Sequence, residues 1–100
     1  MKKQANNESV ANAVDACLYA AQPNIRVEMP KEAKNQVWIR LRNQSFLSGS
    51  ELERINKCIC KPGYLVSVCA QMAYITGIYY EPYINVVLAI DGLKEEFLTR

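Results

Sequence analysis

Apolar positions recur along this chain in two rhythms, and each rhythm predicts a kind of element. Val10, Val14, Cys17, Leu18 and Ala21 fall on one side of a helical projection from about residue 9 to 21, with Asn12, Asp15 and Tyr19 nearer solvent. Ser9 or Asn7 is placed to cap this N-terminal helix, and Pro23 to end it. The rhythm then shortens to two. Ile25, Val27 and Met29 interleave with Arg26 and Glu28, and Val37, Ile39 and Leu41 interleave with Trp38, Arg40 and Arg42. Alternation of this kind predicts half-buried strands, joined here by the polar linker PKEAKNQ into a two-stranded antiparallel ribbon.

A turn-like stretch, NQSFLSGS, follows, and Ser48 or Ser50 can cap a short helix, ELERINKCI, with Leu52, Ile55 and Ile59 on its apolar edge. Glu51 and Glu53 sit early in it and Lys57 late, which suits the helix dipole. The tripeptide KPG at 61 to 63 breaks the chain. The longest apolar stretch runs from Pro62 to Leu93, without Lys or Arg and with two acids, Glu81 and Asp91. At helical spacing Leu65, Val68, Met72, Ile75 and Tyr79 share a face, beside a small-residue strip of Ala70, Ala73 and Gly77. The expectation is a long apolar central helix opened by Pro62, whose missing amide hydrogen costs a first helical turn nothing.

Two readings stay open for the end of the chain. In one helix, Tyr83, Val86, Ile90, Leu93 and Phe97 line up; as a strand over 84 to 90, the β-branched run pairs in a sheet and Asp91 caps a final turn. The single helix is preferred, although Gly92 costs it about 1 kcal/mol. The fold class expected is therefore α+β: an N-terminal helix, a two-stranded antiparallel ribbon, then two or three helices packed on the long central helix. Residues 1–100 form one small domain in this reading, with 1–8 frayed.

Composition narrows what such a domain does. Half the residues are hydrophobic, which excludes intrinsic disorder, and a formal charge of +2 gives no general affinity for nucleic acid. Residues 63–80 approach the length of a membrane span, yet Ser67, Gln71 and Thr76 interrupt them and Glu81-Pro82 closes them, so no membrane contact is expected. The start MKKQANNES lacks the apolar core of a signal peptide, and the expected compartment is a reducing cytoplasm. Cys17, Cys58, Cys60 and Cys69 are then packing residues, since a CxC pair without a second pair is poor zinc spacing.

Catalysis finds no foothold in the residue types. There is no histidine, no Gly-rich phosphate loop and no nucleophile beside an evident base, so neither enzyme activity nor a cofactor is expected. Five of six tyrosines lie on or just after the central stretch, and Tyr74, Tyr79, Tyr80 and Tyr83 are the candidate protein interface, because tyrosine contributes apolar area while its hydroxyl stays wet. Trp38, Arg40 and Arg42 form a second candidate row, of a chemistry that grips phosphates and stacks on bases.

The order strand, short helix, Gly-containing turn, longer helix resembles in outline the ribbon-helix-helix DNA-binding family over Gln36 to Ile78, with QVWIRLR as the ribbon, ELERINKCI as the first helix and GYLVS as the approach to the second. The resemblance implies a dimer whose paired strands present Trp38, Arg40 and Arg42 to DNA. The residues themselves favour a non-enzymatic regulatory or inhibitory protein that binds another protein directly and self-associates, with the dimeric DNA-binding regulator as the alternative.

Overall fold

Val37, Ile39 and Leu41 are wholly buried, while Trp38 and Arg40 between them are half-buried and Arg42 is exposed, as expected of a strand with one face on a core. The computed structural model describes residues 3–18, 24–76 and 79–99, with residues 73–76 and 79–80 described as backbone alone. Through these run β1 (Gln4–Ala5), α1 (Asn7–Cys17), β2 (Ile25–Glu28), β3 (Gln36–Arg42), α2 (Gly49–Ile59), β4 (Ser67–Thr76), β5 (Tyr79–Ala89) and β6 (Leu98–Thr99). β2, β3, β5 and β4 make a four-stranded antiparallel sheet in that spatial order. β1 and β6 pair separately, so Gln4 and Ala5, expected to fray, are tied to Thr99 and Leu98.

One face of the sheet carries the core. Directly opposed residues share a face, so Val27, Ile39 and Val86 form one inner row, and Ile25, Leu41 and Ile84 the next. Val10, Val14 and Cys17 of α1 and Ile55 and Ile59 of α2 close over these rows in a single apolar cluster that also takes in Leu93 and Phe97. α1 is capped by Asn6, whose side chain accepts a hydrogen bond from the Ser9 amide, and Leu18 leaves the helix in extended conformation. The helix thus ends at Cys17, short of the residue 21 expected, and Pro23, the expected stop, lies outside the described residues. α2 begins with a reciprocal cap: Ser48 Oγ accepts from the Glu51 amide and the Glu51 carboxylate accepts from the Ser48 amide.

The long central helix, and the helices expected to pack on it, give way to a hairpin of β4 and β5. The reason lies in the sequence of that stretch. Where nearly every residue is apolar or small, positions three and four apart match a helix while Val68, Ala70 and Met72 also alternate with Ser67, Cys69 and Gln71 as a strand requires. Tertiary pairing breaks the tie, because β5 is hydrogen-bonded on both sides from Tyr83 to Val87. Pro82 is tolerated because β3 ends opposite Tyr83, so at Pro82 β5 has one neighbour instead of two. The strand reading of 84 to 90 is therefore the one realised, and the helix-dominated α+β class is corrected to a strand-dominated one with two α-helices among the described residues.

A further correction follows from this topology. The ribbon-helix-helix likeness fails because β3 is already paired on both sides within its own chain, by β2 and β5, and α2 is followed by strands. Residues 63–76 supply a turn, where Gly63 takes φ +90°, and then β4; no helix among the described residues is long and apolar enough to cross a membrane.

Candidate protein-binding surface

The outer face of the sheet brings the arginine row of one candidate surface beside Tyr83 of the other. Arg40 stands opposite Asn85 and Arg42 opposite Tyr83, so the arginine row and the last interface tyrosine are neighbours. The Arg40 guanidinium lies 4.5 Å from the Tyr83 ring centroid, a stacked cation–π contact. The Tyr83 hydroxyl in turn donates to Gln71 Oε1 on β4, and Trp38 Nε1 donates to Gln36 Oε1 at 2.9 Å. Tyr74 and Tyr80 are opposed in the β4–β5 register and Tyr79 faces Thr76, but the side chains of all three lie outside the described residues, as does Gly77.

Arg42 is not an idle surface charge. Its Nε and Nη2 donate to the two carboxylate oxygens of Glu81 at 3.1 and 2.9 Å, and Glu81 is 5% exposed. The hydrogen bonds that Arg42 donates to Glu81, and then the charge of that carboxylate, hold the Arg42 guanidinium above its ordinary pKa. Arg40 Nε and Asn85 Oδ1, on directly opposed residues, are buried without a hydrogen-bond partner among the described residues. Of the row expected to face DNA, one arginine is stacked on Tyr83, one is clamped by Glu81, and the tryptophan is tied to Gln36.

The exposed apolar surface lies elsewhere, on β4. Ser67 to Met72 are exposed on both faces of the strand, with Val68 at 40% and Met72 at 61% of their accessible area, and Leu65 just before the strand at 75%. Val68, Ala70 and Met72 oppose Val86, Ile84 and Pro82, so they belong to the inner, apolar face, but α1 and α2 do not reach over them. Among the described residues β4 pairs with β5 alone, leaving its other side as a free sheet edge. The entry to this strand is fixed. Asn56 of α2 accepts a hydrogen bond from the Val66 amide through Oδ1, at 3.0 Å, which pins the chain one residue before β4 begins.

This surface was missed by the helical reading, and its signal was present. The sequence SVCAQMAYIT has no charged residue and no proline, the two devices by which edge strands ordinarily repel a partner.

The cysteines are all free thiols. Cys17 Sγ donates to the Arg54 carbonyl at 3.6 Å and Cys58 Sγ to the Ala13 carbonyl at 3.9 Å, clasping α1 to α2. Among the described residues no three His, Cys, Asp or Glu side chains are grouped to hold a metal. Burial, followed by the neighbouring Cys58, pushes the Cys17 thiol from 9.0 up to about 11, and burial also raises Cys60. A raised folded-state pKa favours the protonated thiol, so Cys17 contributes stability that is complete below pH 9 and is lost as pH rises from 9.0 to about 11. We expect a loss of thermal stability across that window, measured by calorimetry, that is smaller in Cys17→Ala; an unchanged alkaline loss in the variant would assign it to another group.

A hollow at the end of α2 is lined by Lys57, Lys61, Tyr64 and Lys94. Its lysines are engaged, with Glu53, with Glu95 and with the Lys57 carbonyl respectively. Comparison with models of known families, with curated proteins and with solved structures finds no match to this chain, so the functional reading rests on the chemistry of these surfaces.

Proposed function

We propose that this chain is a small non-enzymatic regulatory or inhibitory protein of the cytoplasm that acts by direct contact with another protein, and that the contact is made by the β4 edge and its uncovered apolar flank. The observation that carries this reading is an uncharged ten-residue edge strand whose Val68 and Met72 stay in solvent. Backbone groups along such an edge supply hydrogen bonds to any extended segment laid beside it, and the alternate side chains select which segment fits. Four free thiols support a reducing compartment.

The test is capture from the native host with nuclease treatment, comparing wild type with Met72→Lys. Lysine at an exposed edge position blocks strand addition without disturbing the core. Proteins that co-purify with wild type, resist nuclease and disappear with Met72→Lys are the expected result. A captured set unaffected by the substitution, or removed by nuclease, would overturn the reading.

A further inference from the structure

The free edge of β4 has the sequence properties of a surface that pairs with itself. We propose that its occupant is β4 of a second copy of this chain, running antiparallel about a two-fold axis at Ala70, so that two sheets join into one of eight strands. This rests on the reading of the β4 edge as the contact surface and names the partner.

Charge is the first argument. Ser67 to Thr76 contain no residue charged at neutral pH, so two copies laid side by side bring no like charges together at any register. An acidic or basic foreign strand would find nothing on this edge to pair with its charges.

Symmetry supplies the second. A two-fold axis perpendicular to the sheet keeps inner residues on the inner face, and the axis then falls on a residue that meets its own copy. The register irregularity between Tyr74 and Thr76 confines the regular ladder to residues 67–74. Ala70 and Gln71 are the positions central to that ladder. An axis at Gln71 would set that amide against itself, although its Oε1 is already taken by the Tyr83 hydroxyl. An axis at Ala70 sets Val68 against Met72 of the copy, Cys69 against Gln71 and Ser67 against Ala73, with the smallest inner side chain on the axis. Every inner pair is then apolar, and the exposed inner side chains Val68 and Met72 cover each other.

Size sets the strength. The paired segment is shorter than the roughly 20 to 30 residues a side of a standard stable interface. The dimer is therefore concentration-dependent, with Kd at about the micromolar end of the range that interfaces span.

Sedimentation or light scattering from low to high micromolar concentration should show the mass doubling, and Met72→Lys should keep the monomer mass throughout. The register is read by cysteines. Directly opposed antiparallel residues have Cα atoms about 4.5 to 5.5 Å apart, within disulfide reach. Oxidation with copper phenanthroline should thus link Cys69→Ser/Ala70→Cys into a covalent dimer, and link Cys69→Ser/Val68→Cys, whose opposite number is Met72, far less. A wild type that stays monomeric at high concentration, a Met72→Lys variant that dimerises like wild type, or equal linking at 68 and 70 would overturn the proposal. Host capture separates the two readings: a monomer that still loses captured proteins with Met72→Lys removes the second copy and leaves the edge, whereas capture indifferent to Met72→Lys removes the edge as well.

Discussion

Ile39→Ala should lower the unfolding free energy by about 2 to 5 kcal/mol, the range for truncating a large buried aliphatic side chain. Ile39 is wholly buried at the centre of the inner face, opposed by Val27 on one side and Val86 on the other, in the same cluster as the helix residues Val14 and Ile55. The cavity left would lie inside the apolar cluster shared by the sheet and the two helices, where little collapse is available to fill it. A domain of this length has about 5 to 15 kcal/mol in all. At about 4 to 8 °C per kcal/mol, the midpoint should fall by roughly 8 to 40 °C. Arg26→Ala is the contrast, because Arg26 is exposed on the outer face opposite Arg40 and its loss should stay within about 0.5 kcal/mol. Urea and thermal unfolding of both variants decide the point, and equal effects would mean that the inner and outer faces are misassigned.

Arg42→Ala should destabilise the fold more than its exposed position suggests. The substitution strands the Glu81 carboxylate, buried on the outer face with both oxygens engaged by that one guanidinium. An unpaired buried charge costs more than the pair contributed, because its hydration is not restored when the partner leaves. The double variant Arg42→Ala/Glu81→Ala removes the charge as well, and it should be more stable than Arg42→Ala alone. A double-mutant cycle by chemical denaturation measures this coupling. A single variant as stable as wild type would show that water, and not Arg42, satisfies Glu81.

Much of the first half of the fold was legible in the sequence. The alternation of Val37, Ile39 and Leu41 with Trp38, Arg40 and Arg42 set both the strand and its inner face, and the cap candidates Ser48 and Ser50 marked the start of α2, which Ser48 caps. Local chemistry sufficed there, because each signal lies within a few residues. The second half was misread because 67 to 76 satisfies both rhythms, and the partner that decides between them, β5, is itself apolar from Ile84 to Ala89 apart from Asn85. The Arg42–Glu81 clamp was hidden for a different reason. Its members are 39 residues apart, and a charged residue at an outward position in an alternating strand looks the same in sequence whether it faces water or a buried acid.

β2 ends the sheet opposite to β4 and has the contrary character. It is four residues long, carries Arg26 and Glu28 on its outer face and is followed within two residues by Pro30. When two β4 edges are joined, both margins of the enlarged sheet are β2, and neither offers a third chain enough unpaired backbone to extend the ladder. In the proposed pair, growth would therefore stop at two copies instead of propagating into a filament, and a change that lengthened β2 or removed Pro30 would open that margin to a third chain.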